Sequence, residues 1–200
     1  PRPMATERSH ATILFTDIVA STERANELGD RAWRLLLRRY LSTVRTTLRG
    51  HLGTRLNTAG DGFVASFDDP VRAILCAKAL GNAARDLGIE LRSGLHIGQI
   101  EGSGAEVTGI AVHIGARIAS QADPGEILVS GAVRDSVQGQ GFSFVDLGAR
   151  ELRGVEGEWR VYRLRDIPAD VGALEPRFGE RFTHALRGSR VGILLAIGAI

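Results

Sequence analysis

The sequence predicts an α+β fold, an antiparallel sheet with its helices packed on one face. Three observations carry this. Runs with strand character alternate with runs of helical periodicity. The alternation is broken where two short strand-like runs flank a turn at residues 60–62. The resulting order, βα(α)ββαβ followed by αβαββ, fits a ferredoxin-like (βαββαβ-type) sheet with a C-terminal extension.

The elements follow in chain order. "ATILFTDIV", residues 11–19, is rich in branched and aromatic residues and reads as a buried strand. Ser21 or Thr22 caps the helix that follows, in which Trp33, Leu36, Leu37, Tyr40, Leu41 and Val44 recur at helical spacing. Gly53 closes it as a left-handed residue. "TRLNTAGDGFVASF" gives the paired strands. Asp68 or Asp69 caps the next helix, with Pro70 in its first turn and Gly88 at its end. Cys76 lies on its apolar pattern and is read as a packing residue. "IELRSGLHIGQIE" alternates as a strand, and His96 within it is read as structural. A loop then leads to "GIAVHIGARIASQA", a helix of small residues. "EILVS" is a strand, "GAVRDSV" a short helix, and "FSFVDLGARELRG" and "EWRVYRL" the last two strands.

Composition bounds the function. Of 200 residues, 44% are hydrophobic and 24% charged, which suits a globular domain with a sizeable core. The net charge is only +2, and no Lys/Arg-rich run carries interleaved aromatics, so nucleic-acid binding is not indicated. A single cysteine excludes a disulfide framework and suits a reducing cytosol. The N-terminus lacks the apolar run of a signal peptide, and Met4 reads as the native start. The expected organisation is an extension at 1–10, one domain at 11–165, a polar arginine-rich linker at 166–190 and an apolar segment at 191–200. Ten apolar residues are too few for a bilayer, which needs about 20. The segment is either a packing element or the first half of a membrane helix, with Arg187 and Arg190 on its cytosolic flank. The second reading tethers a cytoplasmic domain to the inner face of the plasma membrane.

The chemistry gathers around "NTAGDGFVASF". Asp-Gly between alternating apolar residues is by itself a hairpin turn. Asp17, however, ends the first strand, and in a ferredoxin-like sheet that strand neighbours this hairpin. Asp17 and Asp61 then project at one edge. Carboxylates without competing Cys or His ligands favour Mg²⁺ or Mn²⁺. The loop after Asp17 runs straight into a helix N-terminus, so the backbone N–H groups of Val19, Ala20, Ser21 and Thr22 offer a phosphate site. Paired metals about 4 Å apart clamp the attacking and leaving oxygens in phosphoryl chemistry.

"ILFTDIVAST", "NTAGDGFVASF" and "GIAVHIGARIA", in this order, resemble the catalytic domain of the class III adenylate/guanylate (nucleotidyl) cyclases, and "ELRGVEGEWRVYRL" resembles the closing strands of the actinobacterial members. The resemblance covers about residues 10–165. It implies a homodimer with nucleotide bound between protomers, two Mg²⁺ or Mn²⁺ ions per site, and conversion of ATP to 3′,5′-cyclic AMP and pyrophosphate. It implies Asp17 and Asp61 as metal ligands, joined by the Ile18 carbonyl. Arg117, eight residues after Gly109, takes the place of the arginine that meets transition-state charge. Gly109, Ala111, Gly115 and Ala116 are expected to let their helix approach the second protomer closely.

Three positions depart from the family pattern. Asn57, four residues before Asp61, stands for the base-reading lysine. Glu106, three before Gly109, stands for the base-reading aspartate and could accept from adenine N6 or from guanine N1 and N2. His113, four after Gly109, stands for the ribose-orienting asparagine. Arg153 is a looser match, toward the polyphosphate. These departures leave two alternatives beside an ATP cyclase of relaxed base selectivity: a guanylate cyclase acting on GTP, and a weak or inactive nucleotide-binding, dimerising signalling module.

Overall fold

The computed structural model describes residues 8–59, 61–102 and 107–169, with the backbone alone at 8 and 57–59. The elements are β1 (Arg8–Ile18), α1 (Ser21–Gly50), β2 (Thr54–Ala59), β3 (Gly62–Phe67), α2 (Pro70–Asp86), β4 (Leu91–Glu101), α3 (Ile110–Ser120), β5 (Ile127–Ser130), α4 (Gly131–Ser136), β6 (Ser143–Glu151) and β7 (Glu158–Asp166). The expected order is reproduced. β1 is longer than expected at its start: three residues assigned to the extension, Arg8 to His10, pair with Glu101, Ile100 and Gln99 of β4. The linker and apolar run lie, from residue 170 onward, outside the described residues.

One seven-stranded sheet has the order β2-β3-β1-β4-β5-β7-β6. Its first four strands are mutually antiparallel in the 2-3-1-4 arrangement of a ferredoxin-like fold. The crossover through α3 sets β5 parallel to β4, and the β6–β7 hairpin closes the far edge.

The helices occupy both faces of this sheet rather than one. Leu14, Ile18, Phe63 and Leu95 point to the side covered by α1, α2 and α4, with Tyr40, Val44, Leu48, Ile74, Leu80 and Val133 completing that core. Ala11 and Ile13 point the other way, to Ala111 of α3, and Leu128 packs with Ile114 and Ile118. A parallel crossover needs room on a face, and β4 supplies it with two glycines. A Cβ on Gly94 would stand 2.3 Å from the Ala119 nitrogen, and one on Gly98 would stand 2.7 Å from Ala111 Cβ. Two of the small residues of α3 therefore face its own sheet: Ala111 is buried and Gly115 lies against the Phe15 ring. Ala111 and Gly115 are thus turned to the sheet, while Gly109 and Ala116 are only half-buried.

Helix ends explain two further differences. Asp69 caps α2 as expected, accepting a 2.9 Å bond from the Val71 N–H, and Gly88 (φ 75°) follows its end. For α1 the left-handed residue is Leu52 (φ 55°), not Gly53. Gly53 N–H closes the turn on the Leu48 carbonyl at 2.8 Å, and glycine is needed there because a Cβ would meet the Phe67 ring at 2.5 Å. At the other end the cap is Ala20 rather than Ser21 or Thr22, and α1 is kinked at Gly29 (φ 76°, ψ 155°).

Candidate functional site

The end of β1 and the β2–β3 turn meet as the sequence predicts. Thr16 pairs with Phe63, which brings Gly62 beside Asp17 and places Asp61 at the same edge. A Cβ on Gly62 would sit 2.5 Å from the Thr16 carbonyl oxygen and 3.4 Å from Asp17 Oδ1. Only glycine allows the turn to close this tightly on β1, so the Asp-Gly pair serves as a turn and as the means of presenting Asp61.

The two carboxylates differ in their partners. Asp17 Oδ2 accepts from Arg92 Nε at 2.9 Å and also from Nη2. The pairing follows from register, since Asp17 and Arg92 face each other across β1 and β4. Asp61 Oδ2 is buried and has no hydrogen-bond partner. A bare carboxylate oxygen out of water is costly, so this site is built for a donor or a cation. Behind it lies Tyr40. Burial pushes its phenol well above the ordinary tyrosine range; the Thr16 hydroxyl opposes that shift, and the Asp61 and Asp17 charges add to it.

The loop between β1 and α1 is short and held. Val19 N–H donates to the Glu90 carbonyl at 2.9 Å, and Arg24 Nη2 donates to the Gly88 carbonyl. Val19 is thus engaged within the protein, and the phosphate-ready donors reduce to those that follow it. Ala20 takes a left-handed conformation (φ 51°, ψ 40°) and makes no side-chain cap bond. Strain of this kind in a non-glycine residue, at an uncapped helix start, is a common signature of a ligand loop. Ile18 ends β1 opposite Leu91, its side chain in the core.

His113 and Arg117 lie one turn apart on the exposed side of α3, facing away from the sheet, with the exposed Ile110 (58% accessible) on the same side. Among the described residues neither forms an ion pair. Among the described residues no hydrogen bond or ion pair joins either of them to Asp17 or Asp61. Asn57 pairs with Val64 in the β2–β3 ladder, but its side chain is not described, and Glu106 lies outside the described residues. Arg153 is exposed in the turn between β6 and β7. His96 is buried, its Nδ1 shares a 2.9 Å hydrogen bond with Ser130 Oγ, and its ring meets Trp159 edge-on at 5.5 Å.

Arg92 is the residue that sequence reasoning missed. The signal was present: in "ELRSGLH" an arginine interrupts a buried strand, and antiparallel pairing with β1 puts it opposite Asp17.

The donor set is two carboxylates with nearby carbonyls. Among the described residues no group of three or more His, Cys, Asp or Glu could hold a metal. All-oxygen donors and a bare buried carboxylate oxygen fit a hard divalent cation that keeps further positions for phosphate and water.

The adenylate and guanylate cyclase catalytic domain profile matches residues 4–166. A Rhizobium meliloti protein named "Putative adenylate cyclase 3" is 31% identical over 84% of this chain, which spans 31% of that protein's length. A pH-sensitive adenylate cyclase of Mycobacterium tuberculosis is 29% identical over 77% of the chain, which spans 40% of it. The crystal structure of the adenylyl cyclase CyaB from P. aeruginosa shares the fold, with a TM-score of 0.77 at 23% identity, over 84% of this chain and 99% of that one. On the profile match, which spans most of its length, the chain belongs to the adenylate and guanylate cyclase catalytic domain family.

Proposed function

We propose that this domain converts ATP to 3′,5′-cyclic AMP and pyrophosphate at two sites shared across a homodimer. The observation that carries this reading is the buried, unpartnered Asp61 Oδ2 at the edge it shares with Asp17. Asp17, Asp61 and the Ile18 carbonyl would hold two Mg²⁺ or Mn²⁺ ions. When bound, these would lower the proton affinity of the ribose 3′-hydroxyl and offset polyphosphate charge.

The chain's own residues supply the rest. The uncapped start of α1, at Ala20, Ser21 and Thr22, offers backbone donors and a helix dipole to phosphate oxygens. Arg92 stands at the same edge as a fixed cation beside the polyphosphate, and Arg153 is a second candidate. His113 and Arg117 face solvent on α3, so a second copy is the natural source of a ribose contact and of a cation near the α-phosphorus. There the 3′-oxygen would bond to phosphorus while the bond to pyrophosphate breaks. Asn57 and Glu106 would read the base. In place of a lysine, Asn57 loses a charge-assisted bond worth roughly 1.5–3 kcal/mol. Discrimination between ATP and GTP is therefore expected to be weak, and Asn57→Lys is expected to sharpen it toward ATP.

The departures at Asn57 and His113, and the Arg92 guanidinium already seated on Asp17, favour one second reading: a nucleotide-binding dimer with little turnover. Cyclic-nucleotide formation from ATP and from GTP, each in Mg²⁺ and in Mn²⁺, separates the readings. Metal-dependent cyclic AMP formation supports the first. Nucleotide binding without product supports the second, and preference for GTP makes the domain a guanylate cyclase. Among the described residues no helix is long and apolar enough to cross a membrane. Tethering through the segment beyond them is a separate proposal, tested by fractionation of the full-length protein.

A further inference from the structure

Beyond its kink at Gly29, α1 is one-sided in charge. Residues 31–50 hold six arginines, Arg31, Arg34, Arg38, Arg39, Arg45 and Arg49, and no Asp, Glu or Lys. The helix buries Tyr40, Val44 and Leu48, and all six arginines are exposed. At helical spacing five of them, all but Arg39, fall within an arc of about 60°, along a row about 27 Å long from Arg31 to Arg49. Leu35, 46% exposed, lies on one flank of the row. Arg34 Nε donates to the Asp30 carbonyl at 3.1 Å, a bond that leaves its charge uncompensated. Among the described residues none of the six forms an ion pair, whereas Arg92, Arg160 and Arg163 each do. Arg34 with Arg38, and Arg45 with Arg49, are like-charge pairs four residues apart, which cost helix stability. An anionic surface laid over them removes that cost.

We infer that this arginine row is a docking surface for an anionic lipid bilayer. A straight, exposed row lets a flat charged surface meet every member at once, and basic helical faces of this kind bind anionic headgroups. Leu35 adds an apolar contact that a bilayer accepts and a nucleic acid does not. The sequence holds a second membrane-type feature, the apolar run at 191–200 behind Arg187 and Arg190. The row lies across the sheet from α3 and holds none of the residues placed at the candidate site, so its role does not depend on the cyclase reading.

The test is co-sedimentation of the full chain with phosphatidylcholine vesicles, with and without phosphatidylserine, at low and high salt. Wild type is expected to bind the vesicles that contain phosphatidylserine and to leave them as salt screens the charge. Arg38→Gln/Arg45→Gln is expected to weaken that binding more than about tenfold. Its melting temperature should be unchanged, since both side chains are exposed and unpaired. Arg150→Gln/Arg165→Gln removes the same net charge from β6 and β7 and is expected to bind as wild type. A wild type that does not bind overturns the inference. So does binding that ignores lipid charge, or that the Arg38/Arg45 variant retains, because attachment then belongs to another part of the chain. Equal loss in both double variants reduces the effect to net charge and overturns the row. Tighter binding at the same salt to a random-sequence DNA or RNA oligonucleotide would make the row a nucleic-acid surface instead.

Discussion

Two buried polar clusters lie on opposite faces of the same sheet, and they are finished differently. On the α3 face, His96 and Ser130 satisfy each other and the imidazole rests edge-on against Trp159. On the α1 face, Tyr40, Thr16 and Asp61 present three polar atoms with no partner. Burial sets the same price on both, roughly 1–3 kcal/mol for each group left bare. A cluster closed on itself contributes to stability and has nothing left to bind with. A cluster left open is tolerated where something outside the chain completes it. Truncation should therefore cost stability in the first cluster and binding or turnover in the second.

The largest expected effect tests the open cluster. Asp61→Ala or Asp17→Ala should lower cyclic-nucleotide formation by at least about a hundredfold, the scale on which loss of a transition-state charge partner is felt. Asp61→Ala should nonetheless melt at or above the wild-type temperature, since it deletes a bare carboxylate oxygen. A folded variant that keeps wild-type turnover breaks the metal reading. One that loses several degrees of melting temperature shows the carboxylate to be structural.

Next is the source of the remaining groups. Asp17→Ala and Arg117→Ala should each be nearly inactive alone. If Arg117 of a second copy completes the open edge, a mixed dimer concentrates both defects in one site and leaves the other whole. Random exchange makes half the dimers mixed, so roughly a quarter of wild-type activity should return on mixing. No recovery, with subunit exchange verified by labelled protein, would place the whole site within one chain.

Much of this was legible in the sequence because it depends on period and spacing. Strand alternation, the Asp69–Pro70 helix start and the Asp-Gly turn all act over a few residues, and each appears where expected. What stayed hidden depends on register and on which face a residue takes. Arg92 meets Asp17 only through the β1–β4 pairing, and Ala111 and Gly115 of α3 looked free for a partner although they lie against Gly98 of β4 and Phe15 of β1. The Tyr40 position was legible as a core position, but helical periodicity cannot show that its hydroxyl would be buried without a partner. His96 was read as structural, and its buried hydrogen bond agrees.

The closed cluster carries a pH dependence whose sign is fixed. Burial pushes the His96 imidazole down from 6.5 to about 4. Above pH 6.5 the ring is neutral in both folded and unfolded chains, and the His96 contribution is fully present. Between pH 6.5 and 4 the unfolded chain takes up a proton that the folded chain refuses, so stability falls as pH falls, by about 3 kcal/mol over the window. Urea denaturation of wild type and His96→Gln at pH 7.5 and 4.5 isolates it. The gap between the two proteins should shrink or reverse at the lower pH. A gap that does not move would mean that the ring is solvated in the native state.

The smallest effect is the sharpest contrast. Ser130→Ala removes one hydroxyl from the closed cluster, as Tyr40→Phe removes one from the open cluster, and both positions are 1% exposed. Their consequences should separate. Loss of Ser130 Oγ leaves His96 Nδ1 bare, so Ser130→Ala should unfold about 1–2 kcal/mol more easily in urea at pH 7.5. It should bind Mn²⁺ as wild type does, since it lies across the sheet from Asp61. Tyr40→Phe should unfold no more easily than wild type, because the hydroxyl it removes has no partner. If both variants lose stability alike, a missing internal partner does not separate the two clusters. The distinction between the two clusters would then be one of packing alone.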